Sequence, residues 1–179
     1  NGFSSAIFPC GRRHGAWHRR NVAMLPRPVR KTVHFLAFGF GSGKAPVAPG
    51  TFGTLAAIPL YLLLRPVALP VYVAVVAAMF VVGVWLCRVT ERDLGVHDHS
   101  SIVWDEIVGY LITMFMAPAG WQWIVLGFLL FRLFDIWKPF PIRLLERRIQ
   151  GGFGNMFDDA LAGFYALAVL QGVAYLWKG

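Results

Sequence analysis

Acidic residues, cysteines and strand signals are all scarce in this chain. Its 179 residues carry nine Asp and Glu against seventeen Lys and Arg, a formal net charge of +8. The two cysteines, Cys10 and Cys87, lie in unlike contexts with no ligand spacing, which argues against a disulfide framework or a zinc site. There is no internal repeat, no low-complexity tract and no period-two alternation of any weight. No signal-peptide hydrophobic region precedes the first apolar segment. The glycine-rich run ending in Lys44 is not a Walker A loop, because Phe38 and Ala45 stand where that loop needs Gly and Ser or Thr.

Apolar sequence is what the chain has in excess. Hydrophobic residues make up 57%, above the ordinary soluble range. The runs Val71–Val84, Trp121–Phe131 and Leu161–Trp177 are apolar nearly all round a helix, whereas a surface helix keeps a polar face. A polytopic, all-α membrane bundle is therefore expected rather than a large soluble helical core. Five apolar segments are expected: Thr51–Leu64, interrupted by Pro59; Val71–Arg88; Ile102–Ala117; Trp121–Trp137, stopped by Pro139 and Pro141; and Asp158–Trp177. Between the last two, Arg143–Ile149 reads as a short basic amphipathic helix with Ile142, Leu145 and Ile149 on one face. Residues 1–32 read as a flexible basic tail, and residues 33–179 as the membrane-embedded domain.

The basic residues cluster at Arg12–Lys31 and again at Arg143, Arg147 and Arg148. Beside apolar helices they fit cytoplasmic loops and anionic headgroups better than nucleic acid. Applied loop by loop, the same rule predicts the topology. The start of the first segment, the end of the second at Arg88 and Arg92, and the loop from Lys138 to Arg148 lie inside; the uncharged Pro118–Gly120 turn lies outside. Asp105 and Glu106 open the third segment, Asp135 closes the fourth, and Asp158 and Asp159 open the fifth. All five carboxylates are thereby predicted at one cytoplasmic membrane face, where an ionisable group is costly and usually functional.

Clustered, partly desolvated carboxylates repel one another and resist ionisation, and a divalent cation relieves both effects. All-oxygen donors favour Mg²⁺, Mn²⁺ or Ca²⁺ over zinc. Helix capping is the plainer account of Asp158 and Asp105, but it fails for Asp135 at a helix carboxyl end. Lys138 follows Asp135 by three residues. The stretch GFGSGKAPVAPGTFGT offers Lys44 and free amides at a helix start, with Thr51 as the expected cap, suited to an anion or simply to a glycine-rich turn. Arg132 is spaced to neutralise Asp135. His97-Asp98-His99 reads as an exposed polar turn, and Trp85, Trp104, Trp121, Trp123, Trp137 and Trp177 as an interfacial aromatic belt.

Four blocks, GFGSGKAPVAPGTFGT, SSIVWDEIVGY, FRLFDIWKPFPI and GGFGNMFDDALAG, resemble the phosphatidylglycerophosphatase A family in the family's order, covering Gly39 to about Gly163. The resemblance implies an all-helical bacterial inner-membrane enzyme. Such an enzyme hydrolyses the terminal phosphate monoester of phosphatidylglycerophosphate in a Mg²⁺-dependent reaction. Carried onto this chain, it implies that Asp105, Glu106, Asp158 and Asp159 hold one or two Mg²⁺ ions, with Asp135 as a ligand or general base. Lys138, Lys44 and Thr51 would then receive the phosphoryl oxygens, and Arg143 and Arg147 the diester phosphate or neighbouring lipids. No cysteine is followed by arginine six residues on, and the DxDxT nucleophile, the histidine–SGH pair and the CDP-alcohol signature are all missing. An ion or proton transporter using intramembrane carboxylates is the alternative, and it would need acids at several depths.

Overall fold

Every regular element among the described residues (26–96, 99–149 and 151–178) of this computed structural model is helical. The order is α1 (Arg27–Ala37), a 3₁₀ segment (Gly39–Lys44), α2 (Pro49–Leu64), α3 (Leu69–Leu94), α4 (Trp104–Thr113), α5 (Trp121–Trp137), α6 (Ile142–Arg148) and α7 (Gly152–Lys178). The all-α expectation holds. The chain becomes helical at Arg27, inside the stretch expected as tail, because Val33 and Ala37 bury one face of α1 against the core. His34 Nε2 meets Asp93 Oδ2 at 3.0 Å, pinning α1 to the end of α3. Residues 1–25, with Cys10 and the Arg12–Arg20 cluster, lie outside the described residues, as do His97 and Asp98.

Of the five expected apolar segments, two lie in helices of membrane-spanning length. α3 and α7 are long and apolar enough to cross a membrane. α2, α4 and α5 have 16, 10 and 17 residues and fall short of the roughly 20 that span a hydrocarbon core. The third segment is cut at Thr113 because the chain then turns through Met116 (φ 55°) and Gly120 (φ 133°), both in the left-handed half of backbone space. Val81 and Trp85 of α3 and Phe164 and Leu176 of α7 face outward. Two membrane-length helices with outward apolar side chains fit membrane association.

The short α4 forms the centre of the core. Ile107, Val108, Tyr110 and Leu111 are fully buried, and α4 is flanked by α2, α3, α5 and α7. Trp104 and Trp123 are core residues rather than members of an aromatic belt; the Trp104 indole donates to the Met79 carbonyl at 3.0 Å. α4 and α7 approach closely through glycines. A β-carbon on Gly163 would lie 2.5 Å from the Gly109 carbonyl oxygen. The Thr113 hydroxyl bonds the Gly109 carbonyl at 3.0 Å and reaches that of Gly163 at 3.4 Å. Small residues are what allow such close contact between apolar helices.

Candidate metal and phosphate site

The amino ends of α2, α4 and α7 and the carboxyl end of α5 converge on one cavity of about 230 Å³. It is lined by all five acids the sequence singled out, Asp105, Glu106, Asp135, Asp158 and Asp159, together with Arg132 and Lys138. The glycine crossing explains part of this convergence. Asp105 lies four residues before Gly109 and Asp159 four before Gly163, so each acid stands one turn from the contact on the same helical face. Carboxylates in the first turn of α4 also face unpaired helix amides, a favourable position.

Asp105, Glu106 and Asp159 form the tightest group. Each offers an oxygen, and these oxygens all lie within 4.8 Å of one another. Asp105 and Asp159 are buried, and the Glu106 Oε2 atom is shielded from solvent without a hydrogen-bond partner among the described residues. Burial raises the Asp105 carboxyl to about 6, despite a hydrogen bond with Glu106 that pulls it down; the charge of Asp158 pushes it further up. Burial and then the charge of Asp105 lift Glu106 well above the usual carboxylate range. Crowded, dehydrated, all-oxygen donors with an orphaned oxygen are a fitting set for a hard divalent cation.

The cations are placed asymmetrically. Arg132 Nη1 pairs with Asp135 Oδ2 one turn along α5. Lys138 ends α5 in the left-handed conformation (φ 46°), which turns its ammonium toward Asp158 Oδ2 at 2.7 Å and Glu146 Oε1 at 2.8 Å. Burial works against that charge, but the bonds from Asp158 and Glu146 outweigh it and raise the Lys138 pKa. At the mouth, Gly50 permits the start of α2 to close on the site, for a β-carbon there would meet Glu106 Oε1 and the Arg132 guanidinium.

Three expected phosphate contacts do not line this cavity. Lys44 is exposed on the 3₁₀ segment. Thr51 is not a cap: the chain enters α2 through left-handed Ala48 with Pro49 in the first turn, and the Thr51 amide bonds the Ala48 carbonyl at 2.9 Å. Ala48, Pro49 and Gly50 line the cavity in its place. Arg143 lies exposed on α6, beside a separate groove. Of the HDH turn only His99 is described, and its Nδ1 accepts the Ser101 amide at 3.1 Å, a local turn bond.

Asn155 also lines the cavity, and its Nδ2 donates to Glu91 Oε1 at 3.0 Å. The expected fifth segment starts at Asp158 and leaves Asn155 outside it, because the glycines of GGFGNM carry no helix signal. With α7 beginning at Gly152, Asn155 stands three residues before Asp158 on the same face.

A family model described as phosphatidylglycerophosphatase A matches residues 35–174. The phosphatidylglycerophosphatase A of Escherichia coli strain K12 is 47% identical over 159 residues, 88% of this chain and 92% of that protein. The Haemophilus influenzae protein of the same name is 48% identical over 145 residues, 80% of this chain and 89% of that protein. No solved structure matches the chain.

Proposed function

The chain belongs to the phosphatidylglycerophosphatase A family, and from that premise we propose that it hydrolyses the terminal phosphate monoester of phosphatidylglycerophosphate at the cytoplasmic face of a membrane. The observation that carries this reading is the single cavity in which five carboxylates and two cations meet at the ends of four helices. A dianionic phosphate cannot enter a nest of ionised carboxylates unless positive charge is added. One or two Mg²⁺ ions, held by Asp105, Glu106 and Asp159 with Asp158 beside them, would supply it, polarising the phosphoryl group and acidifying a water.

The chain's own residues would do the rest. Asp135 has Oδ2 engaged by Arg132, which leaves Oδ1 to orient the attacking water and take its proton. Water oxygen bonds to phosphorus as the bond to the glycerol oxygen breaks; the water proton passes to Asp135 and the leaving oxygen takes a proton from solvent, releasing inorganic phosphate and the lipid alcohol. The ammonium of Lys138 would stabilise the phosphoryl and leaving oxygens as charge moves onto them, while Arg132 holds Asp135 in place. Lys138 is suited to this because Asp158 and Glu146 keep it protonated and fixed. Among the described residues no cysteine lines the cavity, in keeping with direct attack by water.

The cytoplasmic orientation rests on the Lys and Arg of α1 and α6, at Arg27, Arg30, Lys31 and Arg143, which would face anionic headgroups. The transporter alternative has less support, since the acids of α4, α5 and α7 all lie at one end of their helices. The test is phosphate release from phosphatidylglycerophosphate by the purified protein with Mg²⁺ and with EDTA, beside phosphatidic acid. No release in Mg²⁺ would sink the proposal.

A further inference from the structure

Arg132 lines two hollows. One is the carboxylate cavity; the other is an open groove of about 830 Å³ along the outer face of α5. The groove is lined by Leu129, Leu133, Ile136 and Trp137 together with Arg132 and Arg143, with no acid among the described residues that line it. Those four apolar residues are more than half exposed, at 58%, 53%, 71% and 61%. Their spacing of three and four places them in one stripe. Arg132 is only 16% exposed, and its buried Nε has no hydrogen-bond partner among the described residues. An apolar trough that carries two guanidiniums and shares one of them, Arg132, with a phosphate-sized acidic cavity has the polarity of one class of ligand. That ligand has hydrocarbon at one end, an anionic link in the middle and a second phosphate at the far end.

We propose that this groove is a glycerophospholipid site in which an acyl chain lies along Leu129, Leu133, Ile136 and Trp137 while Arg132 and Arg143 hold the phosphodiester. The proposal rests on the hydrolytic reading of the adjoining cavity and adds what selects the substrate. The diester phosphate becomes the recognised group, and the monoester is carried one glycerol further, into reach of Asp135 and Lys138. Phosphatidic acid, whose only phosphate would be retained at the guanidiniums, is thereby discriminated against.

Two measurements on the full chain test it. In mixed micelles, R143Q should raise KM for phosphatidylglycerophosphate about tenfold, the loss of one charge-assisted bond, with the effect on KM exceeding that on kcat; Arg143→Lys should recover part of the loss. In nanodiscs, brominated phosphatidylglycerol, which keeps the diester and lacks the monoester, should quench tryptophan fluorescence more than brominated phosphatidylcholine at equal mole fraction. That excess should vanish in W137F and shrink in R143Q. An unaltered KM in R143Q, or equal quenching by the two lipids, overturns the proposal. Failure of the wild-type protein to release phosphate while selective quenching persists would instead remove the hydrolytic reading and leave the lipid site standing.

Discussion

Gly163 of α7 rests against the backbone carbonyl of Gly109 of α4, and Asp159 and Asp105 lie one turn from that contact on their respective helices. The crossing is therefore a positioning device as well as a packing one. At Gly163 the obstacle to a β-carbon is backbone, which cannot swing aside as a side chain can. Gly163→Ala should destabilise the protein by about 1–3 kcal/mol through overpacking. It should also lower phosphate release, because Asp159 and Asp105 would be pushed apart. Gly172→Ala on the same helix meets nothing within 4 Å and should leave melting temperature and activity alone. Equal melting temperatures for the two variants would contradict the close crossing.

Removing one member of the tight acid group should abolish the cation response before it harms the fold. Asp105→Asn and Asp159→Asn keep shape and volume while relieving like-charge repulsion. The variants should melt at or above the wild-type temperature without Mg²⁺, and activity should fall at least a hundredfold. Wild-type protein should gain melting temperature as Mg²⁺ is raised and lose it with EDTA, whereas the variants should not respond. A Mg²⁺ shift of wild-type size in Asp159→Asn would remove that residue from the ligand set.

The raised carboxyls of Asp105 and Glu106 give this response a pH dependence whose sign follows from linkage. A carboxyl whose folded pKa lies above its unfolded value contributes stability at low pH, and that contribution is lost as pH rises through the folded value, about 6 for Asp105. Mg²⁺ needs the ionised forms and acts in the opposite direction. The metal-induced rise in melting temperature should be small at pH 5 and large at pH 8. A rise independent of pH would show that these two carboxyls do not bind the ion.

Lys138 and Glu146 should differ sharply although they share a bond. Glu146 is 40% exposed and its pairing is of the weak surface kind, so Glu146→Gln should change kcat/KM less than threefold. Lys138→Met removes the ammonium from the buried Asp158 and from the phosphate path, and should cost fiftyfold or more. Parallel losses in the two variants would place the role of Lys138 in structure alone.

What could be read in the sequence, and what could not, follows a physical division. Loop charge and acid placement pointed five carboxylates of α4, α5 and α7 toward one place, because charge asymmetry and membrane-facing cost act over whole segments. The bounds of α5, Trp121–Trp137, were readable from its flanking prolines and turn. The starts of α2 and α7 were not. The amino end of α7 was hidden by glycines, which are poor helix formers in isolation but here let the helix enter against α3: a β-carbon on Gly152 would strike the Arg88 backbone. Thr51 has the side-chain chemistry of a cap, whereas Pro49 and a left-handed Ala48 begin the helix. Arg143 and Arg132 were read one helix at a time, and the groove they share exists only in the folded chain.

Gly50 separates site geometry from stability most cleanly. A β-carbon there would meet the Glu106 carboxylate and the Arg132 guanidinium, both ends of flexible side chains. Such groups can move, so Gly50→Ala should shift the melting temperature only slightly, helped by the better helix propensity of alanine. The motion comes at the expense of the site, since Glu106 would leave its oxygen group and Arg132 its pairing with Asp135. Activity should fall about tenfold or more, and half-saturation by Mg²⁺ should move to higher concentration. The contrast with Gly163→Ala is the check: one variant should lose stability and activity together, the other activity with stability kept. Were Gly50→Ala to melt far below wild type, the start of α2 would be a packing contact rather than the wall of a reactive cavity.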